Sequence, residues 1–221
     1  MRRLLFVLFF VLPICIYAQF DTGLKLRITP ITLLDYTPRL RVGIEYSNQT
    51  KWQYGLDFGI GNPTLNKWRL DGMVWEKDYS FFEIRPEIKY VYRKSTCFLL
   101  YCSAELFYLQ LIDHLLSGNY QKDNRHFVIY DEADFKKQKT GIHLKTGADF
   151  NVFKRFYFDV YGGIGFANRT IAYANVVNPI ENEGFLFVEW YPQPYLFEGQ
   201  DLILHFTAGF RISYLLWKNK N

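Results

Sequence analysis

The stretch that most constrains the fold is the last long one. Between Leu202 and Trp217, the apolar residues Leu204, Phe206, Ala208, Phe210, Ile212, Tyr214 and Leu216 alternate with His205, Thr207, Gly209, Arg211 and Ser213. Successive side chains of a strand point to opposite faces, so a period of two means a strand with one apolar face and one small or polar face. Its roughly 14 residues exceed the usual strand of about 5–6 and suffice for a tilted membrane-crossing strand of about 9–11.

Seven earlier segments repeat the alternation. Leu24, Leu26 and Ile28 alternate with Lys25, Arg27 and Thr29, and Leu40, Val42, Ile44 and Tyr46 with Arg39, Arg41, Gly43 and Glu45. Trp52, Tyr54, Leu56, Phe58 and Ile60 oppose Lys51, Gln53, Gly55, Asp57 and Gly59. Phe82, Ile84, Pro86, Ile88, Tyr90 and Tyr92 oppose Glu83, Arg85, Glu87, Lys89 and Val91. The fifth segment, Phe98 to Tyr108, is the least regular, because Ser103 and Glu105 share their face with Leu99 and Phe107. Ile142 to Phe150 interleaves with His143, Lys145, Gly147 and Asp149, and Phe156 to Phe166 with Tyr157, Asp159, Tyr161, Gly163 and Gly165. Pro86 and Pro30 fall within or beside these segments, and the N–H that proline lacks predicts a bulge or strand end at each.

The connections set the topology. Those after strands two, four and six span about 3–5 residues and suit hairpins, whereas those after strands three, five and seven run to about 20–30. Short and long connections alternate in this way in an up-and-down barrel whose chain starts at the end carrying the short turns. Only the first outer connection is short.

Met1-Arg2-Arg3, the apolar run Leu4 to Tyr17 and then Ala18-Gln19 have the basic, apolar and small-residue parts of a secretory signal peptide. The expected division is a signal peptide over 1–18 and one exported domain over 19–221. Ile14 before Cys15 argues against lipoprotein processing. Without Arg2 and Arg3 the 26 Lys+Arg become 24 against 22 Asp+Glu, a net charge of +2 and no footprint for nucleic acid. The composition is 49% hydrophobic and 19% aromatic, yet no apolar run after Tyr17 is long enough for a spanning helix. That excludes a helical membrane protein and permits a barrel, whose apolar face is diluted by alternation. Export permits disulfides, but Cys97 and Cys102, five positions apart in one strand, lie about 16 Å apart, and a disulfide needs Cα atoms within about 7 Å. Both are read as packing residues.

Three features carry a family resemblance: Arg85-Pro86-Glu87-Ile88-Lys89-Tyr90, the run Asp159-Val160-Tyr161-Gly162-Gly163-Ile164-Gly165, and the aromatic last strand. With them the chain resembles small eight-stranded outer-membrane barrels of the OmpA-domain and OmpX kind, and is similar to uncharacterised outer-membrane barrels of Bacteroidota. The resemblance implies an all-β, antiparallel, up-and-down eight-stranded transmembrane β-barrel with short periplasmic turns and long outer loops. It also implies outer-membrane lipid and the barrel-assembly machinery as partners. It brings no catalytic residues and leaves a monomer as the default.

Charge placement predicts which face meets lipid. Arg41, Glu45, Asp57, Arg85, Glu87, Lys89, Glu105, Lys145, Asp149, Asp159 and Arg211, with Lys25, Arg27 and Glu83, all fall on the polar faces, where acids and bases are nearly equal in number. Buried charges persist only when paired, so a balanced set suits a filled lumen, whereas a Lys or Arg facing lipid at the midplane costs about 2–4 kcal/mol. Trp52, Tyr90, Tyr92, Phe156, Tyr214 and Trp217 are expected in a girdle at the periplasmic end. A periplasmic lipocalin-like carrier of an apolar ligand shares the alternation with its apolar face inside, and is the structural rival.

No nucleophile elbow, zinc-protease helix motif, phosphate loop or paired-Cys zinc spacing occurs, and neither a cofactor nor a metal is expected. A lipid A-modifying enzyme would need its nucleophile, base and acid on the lipid face, whereas Ser103, His143, His205 and Asp159 lie on the inward one. His114 and His126 fall in the third outer loop. The expectation is therefore a structural or surface-interaction protein. The apolar parts of the third and fourth outer loops, Phe127, Ile129, Tyr130, Phe185, Phe187, Trp190 and Tyr191, are read as strand hairpins that extend above the membrane and pack on each other. A contact surface for an extracellular partner is the alternative reading of these candidate residues, and a ten-strand barrel using the fourth loop is a third.

Overall fold

The computed structural model describes residues 22–35, 37–48, 50–68, 78–95, 98–123, 125–153, 155–184 and 197–218. The segment 1–18 read as a signal peptide, Cys97, and the loop residues Phe185, Phe187, Trp190 and Tyr191 lie outside them. Nine strands occur among the described residues: β1 (Gly23–Ile28), β2 (Leu40–Ser47), β3 (Trp52–Gly61), β4 (Ser80–Lys94), β5 (Phe98–Gln121), β6 (His126–Phe153), β7 (Phe156–Val177), β8 (Ile180–Glu183) and β9 (Gly199–Lys218). The strands from β1 to β7 pair with their chain neighbours, all antiparallel, and β9 closes the circle by pairing with both β7 and β1. The result is a ring of eight strands. β8 stays outside it, adding to the far end of β6.

The alternation read from the sequence is the alternation of the wall. Lys25, Arg27, Arg41, Glu45, Asp57, Glu83, Arg85, Glu87 and Lys89 point inward and are buried, while Leu26, Ile28, Val42, Ile44, Phe58, Ile60, Phe82 and Ile88 between them are exposed. The exposed apolar face continues around the ring through Leu106, Leu144, Val160, Ile164, Phe166, Leu204, Phe206 and Ile212. On the low side of the ring, a 3-10 turn at Pro30–Leu34 extends it with Ile31 and Leu34. Pro30 therefore follows a strand end.

Pro86 behaves differently from the sequence reading. β4 runs straight through it, with Pro86 opposite Leu56 of β3. The ladder to β5 skips positions 85 and 86 and resumes at Glu87 opposite Glu105 in the same register, and the bulge between these strands falls at Val91/Arg93. The missing N–H removes ladder bonding on one side only, and the β3 ladder on the other side holds the strand in line.

The third outer connection is an extended strand hairpin. β5 and β6 run on together, and only Lys122 to Arg125 join them. β5, β6 and β7 have 24, 28 and 22 residues, while β1, β2 and β3 have 6, 8 and 10. One side of the ring therefore stands tall.

On the tall side the two faces exchange polarity at one height. Phe107, Gly141, Ala167 and Ile203 are register partners across β5, β6, β7 and β9. Below this row the inward face carries Glu105, Lys145, Asp149, Asp159 and Arg211 among glycines and an apolar cluster of Leu99, Tyr101, Tyr157, Tyr161 and Leu215, while the outward face is apolar and bears no charge. Above it, Leu109, Leu111, Ala133, Phe135, Ile171 and Tyr173 turn inward into an apolar cluster beside the buried Asp113 and Lys137, and Gln110, Gln138 and Asn168 stand on the outer side with the exposed Ile112, Leu116 and Leu202. These outer amides bond along the wall: Gln138 Nε2 donates to Gln110 Oε1 at 3.1 Å, and Gln200 Nε2 to Asn168 Oδ1 at 3.1 Å. Near the top, Ser117, Asn175 and Asn178 adopt positive φ of 52°, 51° and 50°, and Asn178 Nδ2 donates to Asp131 at 2.7 Å. Asn tolerates that backbone region better than most residues. Beyond this bend Tyr120, Val128 and Tyr130 rejoin the buried cluster, with Tyr120 stacked on Tyr173 at 3.9 Å.

Close approach of strands makes one glycine indispensable. A Cβ at Gly165 would strike the backbone carbonyl of Ile142 on the neighbouring strand, whereas one at Gly162 meets nothing. Gly165→Ala is expected to lose about 1–3 kcal/mol, the usual cost of overpacking, and Gly162→Ala to stay within about 0.5 kcal/mol of the parent. Urea unfolding of the two refolded variants, followed by tryptophan fluorescence, checks the difference.

Candidate functional site

The inward faces of the eight strands converge on one ion-pair network. Its centre is Glu87 on β4, which meets Lys145 Nζ at 2.7 Å, Arg211 Nη1 at 2.8 Å and Arg27 Nη1 at 3.3 Å, and accepts from Ser103 Oγ at 2.8 Å. Glu105 on β5 takes Lys145 at 2.6 Å, Arg85 at 2.9 Å and Arg211 at 3.4 Å. Towards the loop end, Glu83 holds Arg41 at 2.6 Å, Arg85 at 2.8 Å and Arg39 at 3.1 Å. Towards the turn end, Glu45 meets Lys89 at 2.7 Å, Arg27 at 3.1 Å and Lys25 at 3.4 Å. Asp149 pairs with Lys25 at 2.9 Å, Asp159 with Lys89 at 2.9 Å, and Asp57 with Arg27.

The structure thus brings together all eleven candidate lumen residues: Arg41, Glu45, Asp57, Arg85, Glu87, Lys89, Glu105, Lys145, Asp149, Asp159 and Arg211. Each is 5% exposed or less. Each reaches an oppositely charged neighbour within the same network. Lys25, Arg27, Glu83 and Arg39 join them, and Arg39 extends the network to Asp35 at the mouth, 2.6 Å away.

Aromatic rings fill the space between the charges. The Lys25 ammonium sits 3.9 Å from the Tyr157 ring centre, Lys89 4.3 Å from Tyr101, and the Arg211 guanidinium 4.4 Å from Tyr161. A desolvated cation over a ring face gains about 2 kcal/mol. Glycines opposite leave room: Cβ atoms at 55, 147 and 209 would crowd Arg27, the Tyr101 hydroxyl and the Tyr161 hydroxyl. The lumen is filled by these side chains.

Sequence reasoning missed the aromatic stack above the network. Phe107 lies 4.4 Å from the His143 ring centre and 5.4 Å from that of His205, and His143 Nε2 meets His205 Nδ1 at 2.7 Å. His143 Nδ1 meets Glu105 Oε1 at 3.1 Å. No period or spacing announces such a stack, because β5, β6 and β9 each contribute one ring. Among the described residues, no group of three or more His, Cys, Asp or Glu is placed to hold a metal.

The candidate loop surface divides. Tyr130 is 4% exposed and belongs to the buried tyrosine cluster, so it is no surface residue. It turns inward because the bend at Ser117 reverses which residues face the interior. Phe127 is half-buried opposite Asn182 of β8, and Ile129 is exposed opposite the exposed Ile180. At the hairpin tip, Asp123 meets the His126 ring at 2.9 Å and accepts the backbone N–H groups of Arg125 and His126 at 2.7 and 2.9 Å. The bond with the imidazole, then that from the Arg125 N–H, lowers the Asp123 carboxyl to about 2. The same carboxylate raises the His126 imidazole. His114 on β5 is raised in the same way by Asp134, 2.9 Å from its Nδ1.

Comparison with protein-family models, curated proteins and solved structures gives no match.

Removing one partner from a buried ion pair leaves the other charge uncompensated, at a cost of about 3–5 kcal/mol. Glu87→Leu and Arg211→Met are each expected to destabilise the ring by about that amount. The double variant should lose clearly less than the two losses added, since the second substitution removes a charge the first stranded. A urea double-mutant cycle measures the coupling, and strict additivity would mean that the 2.8 Å pair contributes nothing.

Proposed function

We propose that the chain is an exported protein of the bacterial outer membrane: an up-and-down eight-stranded β-barrel, plugged by its ion pairs, with a structural or surface-interaction role. The observation that carries this reading is the height at which the faces exchange polarity. Below the Phe107–Gly141–Ala167–Ile203 row, charge is inside and apolar surface outside, as a hydrocarbon solvent demands. Above it the interior is largely apolar and polar groups return to the outer side, beside the exposed Ile112, Leu116 and Leu202. A wall bathed by one solvent throughout has no reason to invert.

The span below the row supports the same reading. It covers ten residues on β5 (98–107) and on β6 (141–150), and twelve on β7 (156–167) and on β9 (203–214). A tilted membrane-crossing strand takes about 9–11. At the short-turn end, Trp52 lies 5.0 Å from Tyr90 and Phe156 5.0 Å from Tyr214, with Tyr92 and Trp217 exposed beside them. Amphipathic rings gather in this way at a membrane interface. A carrier of an apolar ligand needs an apolar cavity, and here that region holds the paired charges. The short turns then face the periplasm, and the β5–β6 hairpin with β8 stands outside the cell. Its exposed Ile129 and Ile180 are the apolar surface that a partner would meet first.

Two experiments test the reading. Leu144, 63% exposed in the middle of the apolar wall, is expected to tolerate Met, while Leu144→Arg loses about 2–4 kcal/mol of folding free energy in bilayers. Equal yields of heat-modifiable folded protein from both variants would count against lipid on that face. In planar bilayers the wild type is expected to show no steady conductance, since eight strands enclose only enough width for side chains and the network occupies it. Large stable currents would mean an open lumen.

A further inference from the structure

The turn end of the ring is cationic. Lys51, Arg93, Lys94, Arg155 and Lys218 are exposed there, beside the connections at 48–51, 95–97 and 154–155. Among the described residues of this end no Asp or Glu is exposed, and Asp149 is buried in its pair with Lys25. At the opposite end Asp78, Asp123, Asp131, Glu132, Glu181 and Glu183 are exposed. That end also exposes Lys122, Arg125 and Lys136, so it is of mixed charge, whereas the exposed charges described at the turn end are all basic.

Between the β2–β3 and β4–β5 turns this cationic end has a cleft, lined among others by Ser47, Asn48, Lys51, Gln53, Tyr92 and Lys94. Its frame is fixed by backbone bonds: the Val91 N–H donates to the Lys51 carbonyl at 2.8 Å and the Ser95 N–H to that of Phe98 at 2.9 Å. Asn48 Oδ1 accepts the Thr50 N–H at 3.0 Å, which shapes the first turn. Lys25 at its floor is held by Asp149 and Glu45, and the Ser47 and Thr50 hydroxyls donate to the Gly23 carbonyl and to Asn48 Oδ1. Lys51, Lys94 and the amides of Asn48 and Gln53 line the concavity, without a carboxylate in its lining. That is the chemistry that holds a phosphate. Tyr92 and Trp52, both exposed, continue from its rim onto the outer apolar wall.

We propose that this cleft binds the phosphate of an anionic phospholipid headgroup, with Lys51 and Lys94 as its charge partners. The inference rests on the membrane reading, under which acyl chains cover the wall beside Trp52 and Tyr92 and bring a headgroup to this level. A free phosphate shares the chemistry but makes no use of the adjoining apolar rim. Each basic residue near an anionic membrane surface adds up to roughly a fivefold gain in binding, so the two lysines together add up to about 25-fold.

The test reconstitutes the wild type in phosphatidylcholine vesicles containing a minor share of phosphatidylglycerol, extracts it in mild detergent and counts retained lipids by native mass spectrometry. The wild type is expected to retain phosphatidylglycerol about tenfold over its share in the vesicle. Lys51→Gln/Lys94→Gln should lose that preference, and Lys122→Gln/Lys136→Gln at the loop end should keep it, with heat-modifiable mobility reporting that both fold. Equal retention of the two lipids by an inserted wild type overturns the cleft while leaving the membrane reading intact. Undiminished preference in Lys51→Gln/Lys94→Gln does the same. Binding of inorganic phosphate alone, without retained phosphatidylglycerol, overturns the lipid as its source. A wild type that inserts into neither this mixture nor pure phosphatidylcholine overturns both readings.

Discussion

A carboxylate taken out of water must find cations, and in this ring the requirement falls on Glu45, Asp57, Glu83, Glu87, Glu105, Asp149 and Asp159 at once, all within a few per cent of complete burial. The solution is collective. Arg27 on β1 reaches Glu45 on β2, Asp57 on β3 and Glu87 on β4, so one guanidinium ties four consecutive strands. Arg211 on β9 reaches Glu87, Glu105 and Asp159 on three others. Pairing of this reach fixes the ring's register, because a one-residue slip in any strand would turn its charges outward. The same crowding closes the lumen.

A second constraint divides the tall wall by height. The charged interior gives way to the Phe107–His143–His205 stack, and then to an interior of Leu109, Leu111, Phe135, Ile171 and Tyr173. The outer wall changes with it, from the uncharged apolar face of Leu106, Leu144 and Phe166 to one where amides and charges stand beside Ile112, Leu116 and Leu202. Under the membrane reading one architecture serves two solvents. In lipid the interior is where polar groups pair. In water the interior is where apolar groups collect.

A filled lumen moves any interaction to the two ends and the outer wall. The ends differ in shape and charge: one is a tight cationic rim of short turns and aromatic rings, the other a tall hairpin with exposed charges of both signs and a few exposed apolar residues. Such asymmetry gives the molecule a top and a bottom. The short strands β1, β2 and β3 add a lateral asymmetry, since the 3-10 turn at Pro30–Leu34 stands where the opposite side continues as strand.

Period two in a strand depends only on local backbone geometry, so the eight segments, their two faces and the inward position of the charged set were legible from the sequence by itself. Which charges meet was not. Lys25 and Asp149, or Lys89 and Asp159, come from distant segments, and only closure of β9 onto β1 brings the walls that carry them face to face. Extension of the third connection as a strand hairpin was legible from its apolar residues, but where each strand ends was not: alternation continues through Leu109 and Leu111 with its apolar phase reversed, and a reversed phase reads as a lost pattern. Pro86 suggested a break because the sequence shows a missing donor and not the intact β3 ladder that compensates. Tyr130 was assigned to the surface because a bend at Ser117 decides its side, and a positive φ at a serine carries no local signal. Local periodicity therefore determined the elements and their faces, while ring closure and the level of the polarity exchange, which arise from contacts between distant segments, were decided by the tertiary structure alone.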